Sequence, residues 1–137
     1  MPSNKSRHWR NVEFGALMEP WPKSWAGTHE DESIGRDLVA VLRPFMQHLQ
    51  QKALSPKTLR RHLNNLWLIG GEIIRELHFD PALPEKHGFD LIREAIDNGQ
   101  APLVRDLTEA EQNALDATAR KLLRFLSAHE RLVETET

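Results

Sequence analysis

Phe45-Met46-Gln47-His48-Leu49, followed by Leu54-Ser55-Pro56-Lys57-Thr58-Leu59-Arg60-Arg61-His62-Leu63, is the stretch whose reading decides the fold. It joins the end of one apolar helix to the start of another. Ser55 offers a side-chain oxygen to a free amide of the first turn, and Pro56 suits the first helical position, where no hydrogen-bonded N–H is needed. The boundary is therefore sharp. Lys57, Arg60 and Arg61 then crowd the opening turns, where the partial positive charge of the helix N-terminus adds to their own. Such a start is chemically suited to a phosphate backbone.

Outward from this junction the apolar period is helical on both sides. Upstream, Ile34, Leu38, Val41, Leu42, Phe45 and Leu49 recur at spacings of three and four, which is one buried helical face. Pro44 interrupts it and predicts a kink or two short helices, because an interior proline loses a hydrogen bond and clashes with the preceding turn. Downstream, Leu59, Leu63, Leu66, Gly70, Ile73, Ile74 and Leu77 form one stripe over about residues 56 to 78. Gly70-Gly71 costs an isolated helix about 1 kcal/mol per glycine, so a close approach by a neighbouring helix, or a bend, is expected there.

Pro81 and Pro84 end the regular pattern, and a short helix carrying Leu91, Ile92, Ala95 and Ile96 runs to the stop pair Asn98-Gly99. Thr108 and Glu111 have capping-box spacing ahead of a long last helix with Leu115, Ala119, Leu122 and Phe125 inward. No alternating strand pattern or internal repeat is present. The expected fold is all-α, a single small bundle of four to five helices. Residues 1–30, with Trp9, Trp21 and Trp25 among prolines and glycines, read as an irregular arm; residues 31–132 form the helical domain, and residues 133–137 a frayed tail.

The chain has 137 residues, enough for one domain and one core. It has no cysteine, hence neither disulfides nor thiolate metal ligands, which fits the cytoplasm. No apolar run approaches the length of a membrane span, and no apolar signal core opens the sequence. A net charge of -2 argues against indiscriminate coating of nucleic acid. The charge is uneven, however: residues 55–78 hold four basic against two acidic side chains, and residues 79–137 seven against twelve.

Phe45, Leu49, Ser55-Pro56-Lys57-Thr58, Leu59, Leu63 and Leu66 resemble the core-binding, SAM-like N-terminal domain of phage integrases and other tyrosine recombinases. The likeness covers about residues 34 to 78. It implies a small helical domain that grips double-stranded DNA, with Lys57, Thr58, Arg60 and Arg61 at the DNA. Read from the residues themselves, Lys52 and Arg75 support that face, and Asn64 or Asn65 could read a base edge; a merely solvated polar face is the alternative. The family's chemistry is not carried over. It requires a tyrosine nucleophile with arginines and a histidine in a separate domain, and this chain has no tyrosine and no His-x-x-Arg. The expectation is a non-catalytic binding module, an accessory or regulatory factor of a mobile element active in DNA recombination or integration.

Other chemistry is sparse. The seven histidines lack metal-ligand spacing, so no metal or cofactor is expected and each imidazole reads as an ordinary surface or partly buried group. His48 and His62 flank the junction and could approach one phosphate, with surface placement the default. Glu72 and Glu76 share a helix face without the burial an acid–base pair needs. The rival reading is a helical adaptor that binds a protein through Trp9, Trp21 and Trp25 or through the last helix, or a homodimer; a DNA mimic using the acidic second half is the third. For the arm the preferred reading is packing against the core, since three exposed indoles invite aggregation. Trp67 reads as a boundary residue with its N–H toward water.

Overall fold

The helix dictated by Ser55 and Pro56 begins where the sequence puts it. The computed structural model describes residues 13–79 and 87–136, with side chains as far as residue 128. It contains five α-helices: α1 (Trp21–Trp25), α2 (His29–Gln51), α3 (Pro56–Leu77), α4 (Gly88–Ala95) and α5 (Glu109–Glu136), preceded by a 3-10 turn at Phe14–Met18. The described residues contain no strand, and the chain is an all-α bundle. Ser55 Oγ accepts the Thr58 amide at 3.2 Å, which satisfies one orphan donor of the α3 first turn. At α5 the capping box is reciprocal: Glu111 N–H donates to Thr108 Oγ1 at 3.1 Å and Thr108 N–H to Glu111 Oε1 at 3.0 Å.

α2 opens two residues earlier than the apolar pattern suggests, because Thr28 and Asp31 form a capping box and Glu30, Asp31 and Glu32 place negative charge at the helix start. Asp31 is buried and accepts from the Gly27 and Thr28 amides at 2.9 and 3.0 Å, and it meets His78 Nε2 at 3.1 Å. One carboxylate thereby ties the start of α2 to the end of α3. Of the two outcomes expected at Pro44, a kink or two short helices, the division into two helices does not occur. α2 is one helix through that residue, and Ala40, whose carbonyl loses its partner there, is exposed and can bond water instead.

α2 is the hub, packing against the 3-10 turn, α1, α3 and α4, while α5 packs along α3. The seam is one apolar cluster in which Leu38, Leu42, Leu66, Ile69, Leu115 and Leu122 have no exposure. Burying each such side chain contributes about 1.5–3 kcal/mol, so Leu66→Ala, which leaves a cavity at the centre, costs about 2–5 kcal/mol.

Residues 13–25 are not irregular. Phe14, Met18 and Trp21 are buried in the main core, and the 3-10 turn is fastened to α2 by Phe14 N–H to Gln50 Oε1 at 3.0 Å and Arg43 Nε to the Gly15 carbonyl at 3.2 Å. Gly70 explains the rest. A Cβ there would lie 2.4 Å from Trp25 Cζ2, whereas at Gly71 the nearest atoms stand at an ordinary 3.5 Å. The close approach to the glycine pair is thus made by an indole of α1, and Gly70 alone requires it. The Trp25 indole N–H donates to the Trp67 carbonyl at 3.0 Å; the Trp67 indole N–H donates to Ser24 Oγ at 2.9 Å, not to water. The two tryptophans clasp α1 to α3.

After α4, the chain turns at Gly99, whose φ of 74° is the left-handed conformation that ends helices. The following linker is strapped to α5 by Ala101 N–H to Asp116 Oδ1 and Val104 N–H to Gln112 Oε1. α5 is helical to Glu136, past the point where a frayed tail was expected. Among the described residues no helix is long and apolar enough to cross a membrane.

Candidate nucleic-acid interface

The first turns of α3 and the N-terminal half of α5 border a groove of about 400 Å³ lined by Lys57, Arg60, Arg61 and Asn64 on one side and Leu107 and Glu111 on the other. Lys57, Arg61 and Asn64 fall at spacings of four and three, so they share one helix face. All three are exposed, and among the described residues Lys57 and Arg61 form no ion pair. Thr58 is half-buried; its amide caps onto Ser55, and its hydroxyl accepts from Ser55 Oγ at 3.0 Å. Glu111 is the one acid lining the groove. The Thr108 amide and hydroxyl hold its carboxyl below the ordinary value, so its negative charge persists.

The seven residues expected at DNA do not form one site. Arg75 lies on the same angular face as Lys57, but eighteen residues along the helix, about 27 Å away at 1.5 Å per residue, beside Glu72 at 3.9 Å. Lys52, the C-terminal cap of α2, lines a different groove. Asn65 is not a base reader: it is buried, and its amide donates to Thr118 Oγ1 at 2.8 Å and the Ala114 carbonyl at 3.3 Å. Asn64 remains at the surface.

His62 is likewise not on the surface. Its Nε2 is 3.2 Å from the Lys121 ammonium and its Nδ1 2.8 Å from Thr118 Oγ1. An ammonium only donates, so Nε2 carries the lone pair and Nδ1 the proton. The Thr118 hydroxyl accepts that N–H and the Asn65 amide, and donates to the Ala114 carbonyl at 3.3 Å. Every polar atom of the buried set has a partner. Burial first, then the charges of Lys121 and Arg61, pushes the His62 imidazole down to about 4. The sequence carried a signal for both residues, since His62 and Asn65 fall at three-and-four spacing within the stripe of Leu59, Leu66 and Ile69.

The second groove, about 440 Å³ between the end of α2 and α5, contains Lys52, Lys121 and Arg124 beside His48, Phe45 and Phe125, with no acidic residue in its lining. Lys121 and Arg124 do not stand out in the sequence, because they belong to the acidic second half. The available signal is a local basic run, Arg120, Lys121 and Arg124, in the middle of an otherwise mainly acidic α5. Lys121 links this groove to α3 through its contact with His62 Nε2.

Trp21 is core, and Trp25 is packed on Gly70 with its N–H satisfied, so neither indole is presented to a partner. Trp9 lies outside the described residues. No group of three or more metal-ligating side chains occurs among the described residues. Compared with protein-family models, curated proteins and solved structures, the chain matches none.

Proposed function

We propose that this chain is a non-catalytic DNA-binding module that grips double-stranded DNA with the first turns of α3, as an accessory or regulatory factor of a mobile element. The observation that carries the reading is the exposed row of Lys57, Arg61 and Asn64, together with Arg60, over the capped N-terminus of α3. Lysine and arginine neutralise phosphates and position the duplex, while an exposed amide such as Asn64 can pair with adenine in the major groove. The resemblance to recombinase core-binding domains supports the same face. The overall charge of -2 fits a local grip better than a coating activity, because the acidic residues repel DNA elsewhere.

Fluorescence anisotropy on labelled duplexes tests it. The wild-type chain should bind, and Lys57→Glu with Arg61→Glu should weaken binding at least tenfold while the helical circular dichroism stays unchanged. Asn64→Ala should flatten the preference among duplex sequences and spare the non-specific affinity. Failure of the wild-type chain to bind any duplex at low salt, or full affinity in the double charge reversal, would overturn the proposal.

A further inference from the structure

The groove between α2 and α5 has a chemistry that the duplex-binding face does not use. Three cations, Lys52, Lys121 and Arg124, line it, and among the described residues none of them forms an ion pair. Lys121 is held in an unusual way. Its ammonium donates to a neutral imidazole, His62 Nε2, at 3.2 Å, which fixes its position without cancelling its charge. The remaining lining is aromatic and aliphatic: Leu49 and Leu54 accompany His48, which lies 5.0 Å from the Phe125 ring at 40°, and Phe125 lies 5.5 Å from the buried Phe45 ring.

Three cations beside an aromatic and apolar wall match a ligand that is anionic at one end and planar at the other. A phosphate takes charge-assisted hydrogen bonds from lysine and arginine, and a base gains roughly 1–3 kcal/mol by stacking on an aromatic side chain. The groove, at about 440 Å³, lies within the size range of small-ligand pockets. We infer that this groove is a nucleotide site, with Lys52, Lys121 and Arg124 at the phosphate and His48 with Phe125 against the base. The occupant is either a free nucleotide or one nucleotide of a single strand. The site shares no lining residue with the groove of Lys57 and Arg61, so it stands or falls independently of the duplex reading.

Calorimetric titration of the full chain with AMP, with a 5′-phosphorylated tetrathymidylate and with inorganic phosphate tests the assignment. Saturable binding of AMP or of the oligonucleotide is expected; AMP binding identifies the free nucleotide as an occupant, and binding of the oligonucleotide alone identifies a strand. Lys52→Gln with Arg124→Gln, both at exposed positions, should weaken that binding about tenfold or more, while Lys23→Gln with Arg36→Gln, an equal charge change elsewhere, should not. His48→Ala should weaken AMP but not phosphate. No saturable binding of either nucleotide, equal loss in both double variants, or phosphate binding as tight as AMP would overturn it.

Discussion

Adjacent glycines in α3 should respond to alanine with opposite signs. At Gly70 the new methyl would stand 2.4 and 2.5 Å from Cζ2 and Cη2 of Trp25, about 1 Å inside ordinary contact. A fused ring cannot yield as a flexible chain end would, and this one is anchored by its N–H on the Trp67 carbonyl. Overpacking of this kind costs about 1–3 kcal/mol, and displacing the indole forfeits its hydrogen bond, about 1 kcal/mol more. The better helix propensity of alanine returns about 1 kcal/mol. Gly70→Ala should therefore destabilise by roughly 1–3 kcal/mol. At Gly71 the nearest indole atoms are 3.5 Å away, so the propensity gain stands alone and Gly71→Ala should stabilise by up to about 1 kcal/mol. Urea unfolding followed by circular dichroism measures both, with midpoints moving in opposite directions. A stabilising Gly70→Ala, or equal effects at the two sites, would refute the packing of α1 on α3.

Three further outcomes follow from buried and capping groups. Folded His62 takes a proton only near pH 4, the unfolded chain near 6.5; between these the unfolded state binds more protons, so the stability His62 supplies is complete above pH 6.5 and is lost as pH falls toward 4. The span corresponds to about 3 kcal/mol, and urea midpoints of wild type and His62→Gln across pH 4–7 should differ in slope over that window. Glu111→Gln retains an N3 capping residue but removes the acid from the α3 groove, and should raise duplex affinity several-fold in anisotropy titrations. For Asp31, burial alone would push the carboxyl up, but the Gly27 and Thr28 amides, the His78 charge and the Thr28 hydroxyl outweigh it and hold it below the ordinary value. Asp31→Ala should cost about 1–2 kcal/mol in thermal unfolding, in the range of a lost helix cap. The wild-type contribution from Asp31 is present above the unfolded carboxyl value and disappears as pH falls through the folded one.

Local chemistry made much of the fold legible. Ser55-Pro56 and Thr108 with Glu111 mark helix starts that depend on atoms three residues apart, and the apolar stripes of α2 and α3 report burial directly. The need for a close neighbour at Gly70-Gly71 was also legible, but not its identity. Trp25 lies more than forty residues away in a helix of five residues, too short to show a period. The same reason hid the packing of Phe14 and Met18. In the candidate sites, Lys57, Arg61 and Asn64 could be grouped because one helix carries them, whereas Lys52, Lys121 and Arg124 converge only through the docking of α5. His62 and Asn65 sit in the apolar stripe, but their polar residue types point to the surface. Their burial depends on Thr118, supplied by α5 more than fifty residues later.

The salt dependence of duplex binding tests the central claim most directly. Each phosphate neutralised on duplex DNA contributes about -0.9 to the slope of log K against log salt, so a grip through Lys57, Arg60 and Arg61 predicts a slope of roughly -3. Lys57→Gln with Arg61→Gln should reduce it by about two. A wild-type affinity independent of salt, or a slope unchanged by the double substitution, would contradict the account.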